Sequence, residues 1–245
     1  MLRAAGARRG RLATPARLSL AAMDLDLIRT VLVYALPVLF AITVHEAAHG
    51  YAARHFGDPT AAELGRISLN PLRHIDPLGT IAMPVLLYLA TAGAFVFGYA
   101  KPVPVDWRRL RHPKRDMVWV AFAGPGANLA QALGWALFGA VLLAFGSEEP
   151  FFGLMAKAGV LVNLVMFAFN LLPVPPLDGG RILVGLLPLE LARPVARVEP
   201  YGFFIVVGLL VAGLVSAWWM LPILRTLLAL MGAVLPSFSS VMGVS

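Results

Sequence analysis

Two histidines and a glutamate lie within one pentapeptide of the chain, His45-Glu46-Ala-Ala-His49. On a helix, residues i and i+4 are about 40° apart around the axis and about 6 Å apart along it, so both imidazoles can reach one zinc ion. The glutamate between them lies close enough to act on water at the metal without being a ligand. The spacing therefore predicts a hydrolytic zinc site, with His45 and His49 as ligands and Glu46 as acid/base.

The helix predicted to carry this motif is suited to a lipid bilayer. A largely apolar run at residues 28–44 leads directly into the motif. Over the whole chain, hydrophobic residues make up 59% and charged residues 13%, with a mean hydropathy of +0.79. Soluble domains are closer to half apolar and a quarter charged. The composition thus indicates an integral membrane protein, and the motif predicts hydrolysis within the membrane.

Cysteine content and charge narrow the possible classes further. The chain has no cysteine, which excludes disulfides and thiolate metal sites, so any metal must be bound by His, Asp or Glu. The net charge is +7, and after the first 22 residues the basic residues lie mainly in short loops between apolar runs. In that position they indicate membrane topology and contact with anionic lipid, and we expect no nucleic-acid partner.

A catalytic zinc site usually has three protein ligands, and Asp178 is the best third candidate. It lies in the segment Asn170-Leu-Leu-Pro-Val-Pro-Pro-Leu-Asp178-Gly-Gly, at the end of an apolar block. A carboxylate at that depth is costly unless it is paired or binds a metal. The prolines exclude a regular helix, and the glycines allow close approach to another element. Alternatively, Asp178 caps the next helix; the His-Glu-x-x-His motif favours the ligand interpretation.

The apolar blocks predict an all-α polytopic membrane protein with about five to six transmembrane helices. The blocks cover residues 26–52, 78–100, 117–146, 153–174, 201–221 and, more weakly, 223–236. Each of the first five approaches the ~20 residues that cross a ~30 Å hydrocarbon core. Pro222 and Arg225 interrupt the last block. With no repeat and no long polar insertion, we expect residues 23–245 to form a single integral-membrane domain.

Residues 1–22 differ from the rest, since they are rich in arginine and contain no acidic residue. One interpretation is a targeting or lipid-binding tail. The other is a start codon assigned too far upstream, with Met23 as the true start immediately before the first apolar block. In both cases we expect residues 1–22 to be a disordered extension.

The basic residues between the blocks place the loops. Three groups of them follow the first block, precede the third and follow the fourth, and the positive-inside rule assigns all three groups to the cytoplasmic side. A single crossing by residues 78–100 contradicts this assignment. We therefore expect residues 101–105, Lys-Pro-Val-Pro-Val, to return as a re-entrant extended segment.

Together these motifs resemble the paired signature of the site-2 proteases, which are intramembrane zinc metalloproteases. The His45–His49 motif and the Asn170–Gly179 segment match its two halves. Between them, Gly124-Pro125-Gly-Ala-Asn128 is similar to the family's Gly-Pro-x-x-Asn stretch. The resemblance covers roughly residues 24–200, with no room for a PDZ or CBS domain, and therefore points to the minimal branch.

The resemblance implies a role for each matched residue. His45, His49 and Asp178 would be the zinc ligands and Glu46 the catalytic acid/base. Asn170 would hold the substrate strand or polarise its carbonyl. Asn128 is a secondary candidate, because an amide inside the membrane beside Gly-Pro could fix Glu46 or a break in the backbone; Asn163 is a weaker candidate of the same kind.

These inferences predict a Zn²⁺-dependent intramembrane endoprotease that cleaves in or near transmembrane segments of membrane proteins. We expect it to be a multi-pass protein of the bacterial inner membrane, with its site toward the cytoplasm; the sequence does not indicate an oligomeric state. One alternative is a membrane metalloenzyme other than a protease, such as a di-iron hydroxylase, although five histidines with one close pair argue against it. The other is a catalytically inactive membrane scaffold.

Overall fold

The computed structural model describes residues 15–90, 98, 100–147 and 149–243, and the described chain is built from helices and loops without β-strands. Ten α-helices follow one another: α1 (Pro15–His55), α2 (Thr60–Glu63), α3 (Met83–Ala90), α4 (Pro113–Ala144), α5 (Pro150–Asn170), α6 (Asp178–Leu186), α7 (Leu189–Ala196), α8 (Glu199–Val211), α9 (Leu221–Val234) and α10 (Phe238–Met242). Single 3₁₀ turns occur at Pro71–Arg73 and Trp107–Arg109, and π-helical turns at Pro77–Ala82 and Val215–Met220.

Within these ranges, four helical stretches are long and apolar enough to cross a membrane: Ile28–His55, Pro113–Ala144, Pro150–Asn170 and Val215–Val234. A fifth crossing is obtained if α7 and α8, which meet at a bend of 70°, are taken as one broken span. The predicted all-α polytopic class is confirmed. The sequence predicted five to six spans. The described residues contain four candidate spans, or five if the bent pair counts as one.

The last apolar block, residues 223–236, belongs to a longer helical stretch than Pro222 and Arg225 led us to expect from the sequence. Residues 215–234 form a candidate span of mean hydropathy 1.5, with Pro222 inside it. Pro222 lies in the first turn of α9, directly after the π-helical turn. A proline at a helix start costs little, because its missing N–H is at a position where the new helix needs no donor. The helical run therefore continues through the residue that was expected to interrupt it.

The expected disorder of residues 1–22 does not hold for residues 15–22. Helix α1 begins at Pro15, so residues 15–22 are helical rather than disordered, while residues 1–14 lie outside the described part. Proline is favoured in the first turn of a helix, and adding residues to an existing long helix avoids the cost of nucleation. Alanine and leucine then dominate the continuation into the first apolar block.

The helices that position the site are α1, α4, α5 and α6, and small residues allow them to approach closely. Ala132 and Ala136 of α4 are fully or almost fully buried, as are Ala156 and Val160 of α5. Gly159 of α5 lies directly against the ring of Trp135, where a methyl group has no room. Close packing of this kind holds membrane helices together where lipid supplies no hydrophobic driving force. Polar side chains can therefore meet between these helices.

The segment from residue 101 to 111 is held against the end of α1. The backbone N–H of Lys101 donates to His74 O at 2.9 Å. The residue that follows the second apolar block thus lies beside a residue that precedes it. Asp58, fully buried, accepts from the N–H of Asp106 at 2.7 Å. Arg109 forms paired hydrogen bonds with Glu63. Residues 101–105 are not part of a sheet; their prolines lack the N–H groups that a regular ladder requires.

Candidate metal centre

The two motif histidines face the same point from the C-terminal turns of α1. His45 Nε2 and His49 Nε2 are 3.1 Å apart, and their rings meet edge to face with centroids 4.7 Å apart. This is the arrangement that the i, i+4 spacing predicted. The side chains are 6% and 12% exposed, respectively. They therefore project inward, toward α4 and α6.

Asp178 meets the histidines from the other end of the sequence. Its Oδ2 lies 3.3 Å from Nε2 of both His45 and His49, and one potential ligand atom from each residue lies within 4.8 Å of the other two. The expected convergence of these three residues is thus observed. Asp178 is the first residue of α6 and Leu177 the N-cap, so the carboxylate faces the imidazoles and does not serve as the cap of this helix.

The broken segment before Asp178 produces this approach. Three prolines between Leu172 and Leu177 stop α5, and α6 then starts with Asp178-Gly179-Gly180. A methyl group on Gly179 would collide with the Leu171 carbonyl and lie 2.6 Å from Leu172 O. The glycines therefore let the start of α6 pack directly on the segment that precedes it, as the sequence predicted. The carboxylate is thereby turned sideways toward α1.

The hydrogen bonds of the two Nδ1 atoms bear on whether the Nε2 atoms can offer lone pairs to a metal. His45 Nδ1 lies 2.6 Å from Asn128 Oδ1, and His49 Nδ1 lies 2.8 Å from the Val120 carbonyl. Both partners are acceptors, so both Nδ1 atoms must carry the proton. With both imidazoles neutral, as metal binding requires, their Nε2 lone pairs would be directed at the same point as Asp178 Oδ2. That oxygen is buried and has no hydrogen-bond partner among the described residues. Three converging lone pairs repel one another unless a cation lies among them, and this donor set fits zinc.

Gly124 of α4 provides the space beside this point. A methyl group at that position would collide with His49 Nε2, and would lie 2.6 Å from His49 Cε1 and 2.7 Å from His45 Cε1. The Gly-Pro-x-x-Asn motif alone does not indicate this role of Gly124. A Gly-Pro pair within an apolar block was the available signal, since glycine inside a helix has a cost that usually requires a packing reason.

Glu46 lies between the two histidines in sequence, but its carboxylate is hydrogen-bonded to the segment of residues 101–111. Its Oε2 accepts a hydrogen bond of 2.8 Å from the backbone N–H of Val103, in the 101–111 segment. Val103 is buried, with 7% of its surface exposed. The anchor of Glu46 is thus a backbone group that sequence reasoning could not identify. Asn128, one candidate for that task, contacts His45 instead.

Asn170 is the last residue of α5, immediately before the broken segment that leads to Asp178. Its Nδ2 donates to the Met166 carbonyl at 3.0 Å, within its own helix. The predicted catalytic role of Asn170 stays a prediction.

Comparison with known proteins gives a consistent picture. The profile described as peptidase family M50 matches residues 148–213. YwhC of Bacillus subtilis is 40% identical over 73% of this chain and 80% of its own length. Rip2 of Mycolicibacterium smegmatis is 32% identical, and Rip2 of Mycobacterium tuberculosis 30%; each match covers 74% of this chain and 67% of the relative. All three bear the name "putative zinc metalloprotease". No solved structure matches the chain.

These similarities agree with the apolar helices and with the group of His45, His49 and Asp178, which is able to bind a metal. They give no support to a non-protease metalloenzyme or to an inactive scaffold. The chain therefore belongs to peptidase family M50, the site-2 proteases, and is a zinc-dependent intramembrane protease.

Proposed function

We propose that His45, His49 and Asp178 bind the zinc ion of this protease and that Glu46 is its catalytic acid/base. The observation that supports this most directly is the convergence of two imidazole Nε2 atoms, whose Nδ1 atoms face acceptors, and one buried carboxylate oxygen within 3.3 Å of one another. The substrate is a membrane protein, cleaved in or near a transmembrane segment.

The chemistry divides between the metal and the chain. A zinc ion held by His45, His49 and Asp178 would supply polarisation of the scissile carbonyl and would lower the pKa of its bound water to about 7. Glu46 accepts the proton of the attacking water and delivers it to the leaving amine. The Val103 N–H fixes one oxygen of Glu46, which leaves the other oxygen to exchange the proton. Asn170, at the end of α5, would hold the substrate carbonyl or strand.

A helical substrate must unwind before it can react, because its carbonyls are engaged in helix hydrogen bonds. Residues 101–105 are the candidate edge for the unwound segment, since Val103 directly contacts Glu46. Pro102 and Pro104 carry no N–H, so these two positions can only accept hydrogen bonds from the substrate. Arg66 already donates to the carbonyls of Lys101 and Pro102, which fixes this part of the edge.

We further infer that the site lies at the cytoplasmic end of a bacterial plasma-membrane protein. The basic residues around this end of the helices support the assignment: Arg111 donates to the His55 carbonyl at the end of α1, and Arg109 pairs with Glu63. The positive-inside rule places such clusters in the cytoplasm. On this topology α1 runs inward to the site, α4 outward and α5 inward to Asn170.

A topology reporter tests this orientation. A reporter fused after Arg115 should give a cytoplasmic signal, and a matched fusion after Ser147, beyond α4, should give a periplasmic one. The reason is that α4 (Pro113–Ala144) is a candidate span between the two positions. A periplasmic signal after Arg115 would contradict the cytoplasmic site and the return of the chain at residues 101–105.

The residue assignments are tested by measuring zinc content and peptide cleavage on the same purified full-length protein in detergent. We expect about one zinc per chain and cleavage of a model transmembrane peptide, with the cleavage lost on zinc chelation and restored by zinc. Bound zinc without cleavage of any membrane peptide would favour a non-protease metalloenzyme. Absence of both zinc and cleavage would favour a scaffold.

A further inference from the structure

Two buried asparagines connect His45 to the neighbouring helices. Asn128 of α4 and Asn163 of α5 are both fully buried. Asn128 Oδ1 lies 2.6 Å from His45 Nδ1, and Asn128 Nδ2 donates to Asn163 Oδ1 at 2.9 Å and to the Ala41 carbonyl at 3.1 Å. Asn163 Nδ2 in turn donates to the Gly159 carbonyl at 2.9 Å. A continuous chain of hydrogen bonds thus joins α5, α4 and the ring of His45.

The two backbone carbonyls at the ends of this hydrogen-bond network determine which atom donates and which accepts in each of its bonds. The carbonyls of Ala41 and Gly159 can only accept, so each must face an amide nitrogen. If the Asn128 amide were flipped, its oxygen would face the Ala41 carbonyl and Asn163 Oδ1, both acceptors. If Asn163 were flipped as well, its oxygen would face the Gly159 carbonyl. Only one arrangement satisfies all the groups, and in it Asn128 presents oxygen to His45.

We propose that Asn128 and Asn163 form a positioning relay that sets the proton and the ring orientation of His45, so that its bare Nε2 faces the zinc. The inference rests on the proposed zinc site. Neither asparagine is a ligand or a catalytic residue; Asn128 acts through His45, and Asn163 acts through Asn128. His49 needs no such relay, because a backbone carbonyl, that of Val120, performs the same task for it.

The membrane setting explains why two asparagines are needed. An amide buried between apolar helices is costly unless its donors and acceptors are paired. Asn128 has two amide protons, and the Ala41 carbonyl takes only one of them in the observed arrangement. Asn163 Oδ1 accepts the second. Without Asn163, Asn128 would keep an unpaired donor and lose one of the two bonds that hold its oxygen on His45.

The competing interpretation is that the asparagines only hold the helices together, as interhelical amides do in many membrane proteins. The two interpretations differ in what a substitution changes. A structural link affects the stability of the fold and leaves zinc affinity in the folded protein unchanged. A positioning relay affects the metal directly, and loss of a group that orients a ligand typically weakens metal binding by about 10–100-fold.

The test uses the full-length protein in detergent and four variants: Asn128→Leu, Asn128→Asp, Asn163→Leu and, as the structural control, Leu164→Ala. Leu164 is fully buried beside Asn163 and belongs to the apolar core. Zinc affinity is measured by competition with a chelator, fold stability by thermal denaturation, and ligand geometry by the visible absorption of Co²⁺ bound in place of zinc.

We expect Asn128→Leu to weaken zinc binding by about 10–100-fold and to shift the cobalt spectrum. Asn163→Leu should act in the same direction with a smaller effect, since the Ala41 carbonyl still orients Asn128. Asn128→Asp keeps an acceptor for His45 Nδ1 and should retain more zinc affinity than Asn128→Leu. Leu164→Ala should lower the melting temperature without changing zinc affinity or the cobalt spectrum.

Wild-type zinc affinity in Asn128→Leu would overturn the relay, and so would equal zinc loss in Asn128→Asp and Asn128→Leu or equal zinc loss in Leu164→Ala. A His49→Ala variant separates this failure from failure of the zinc site itself. If His49→Ala binds zinc as tightly as the wild type, the proposed ligand set is wrong. If His49→Ala loses zinc and Asn128→Leu does not, the ligand set stands and the relay alone is rejected.

Discussion

Replacement of Glu46 by glutamine should abolish peptide cleavage while zinc remains bound. Glutamine keeps the size of the side chain and can still accept the hydrogen bond from the Val103 N–H, but it cannot take up a proton from water. Loss of a general acid–base group costs typically 10²–10⁴-fold in rate. Cleavage of a transmembrane peptide and zinc content, measured on one preparation, check this result.

Substitution of a ligand should behave differently. His49→Ala and Asp178→Ala each remove one of three converging ligand atoms, so both should lose zinc together with activity. Equal zinc loss in Glu46→Gln, His49→Ala and Asp178→Ala would identify Glu46 as a ligand. The division of roles between Glu46 and its two neighbours in the motif would then have to be replaced.

The second large effect is expected from a single methyl group at Gly124. Gly124→Ala would place its Cβ against His49 Nε2 and 2.7 Å from His45 Cε1. Real Cβ atoms do not approach other atoms this closely, so one or both rings must move. Since the ring nitrogens are the proposed ligands, we expect loss of tightly bound zinc and of peptide cleavage, both measured on the purified variant.

Gly134→Ala is the matched control, because Gly134 lies on the same helix and a methyl group there has no neighbour within 4 Å. Alanine is favoured over glycine in a helix by about 0.5–1 kcal/mol, so this variant should be at least as stable as the wild type and fully active. Zinc binding and cleavage by Gly124→Ala at the level of Gly134→Ala would mean that the metal lies elsewhere.

Much of the site could be predicted from sequence because its largest part is local. The i, i+4 spacing of His45 and His49 determines their relative position once that stretch is helical, and the helix follows from the apolar run. Asp178 was identified by its cost as an acid at the end of an apolar block beside helix-breaking prolines. Composition likewise predicts the all-α membrane class without reference to any contact.

Other features depend on contacts between distant segments. Val103 and Glu46 are 57 residues apart in sequence, and Asn128 and His45 are 83 apart. No periodicity indicates that the N–H of Val103 holds the carboxylate, or that Asn128 faces His45 rather than Glu46. The sequence also does not show that the helical stretch continues through Pro222. The effect of a proline depends on whether its position in the helix requires an N–H donor.

The sequence by itself therefore determined the class of the protein, the pair of histidines, the glutamate beside them and the unusual aspartate, since hydropathy and helical spacing are properties of neighbouring residues. Only the tertiary structure decided how His45, Glu46 and Asp178 are held. That depends on how closely α4 approaches α1, which Gly124 permits, and on how closely α6 packs on the segment that precedes it, which Gly179 permits. It also depends on where each buried amide finds a partner, and a hydrogen bond between helices is fixed by their packing rather than by the order of residues in either one.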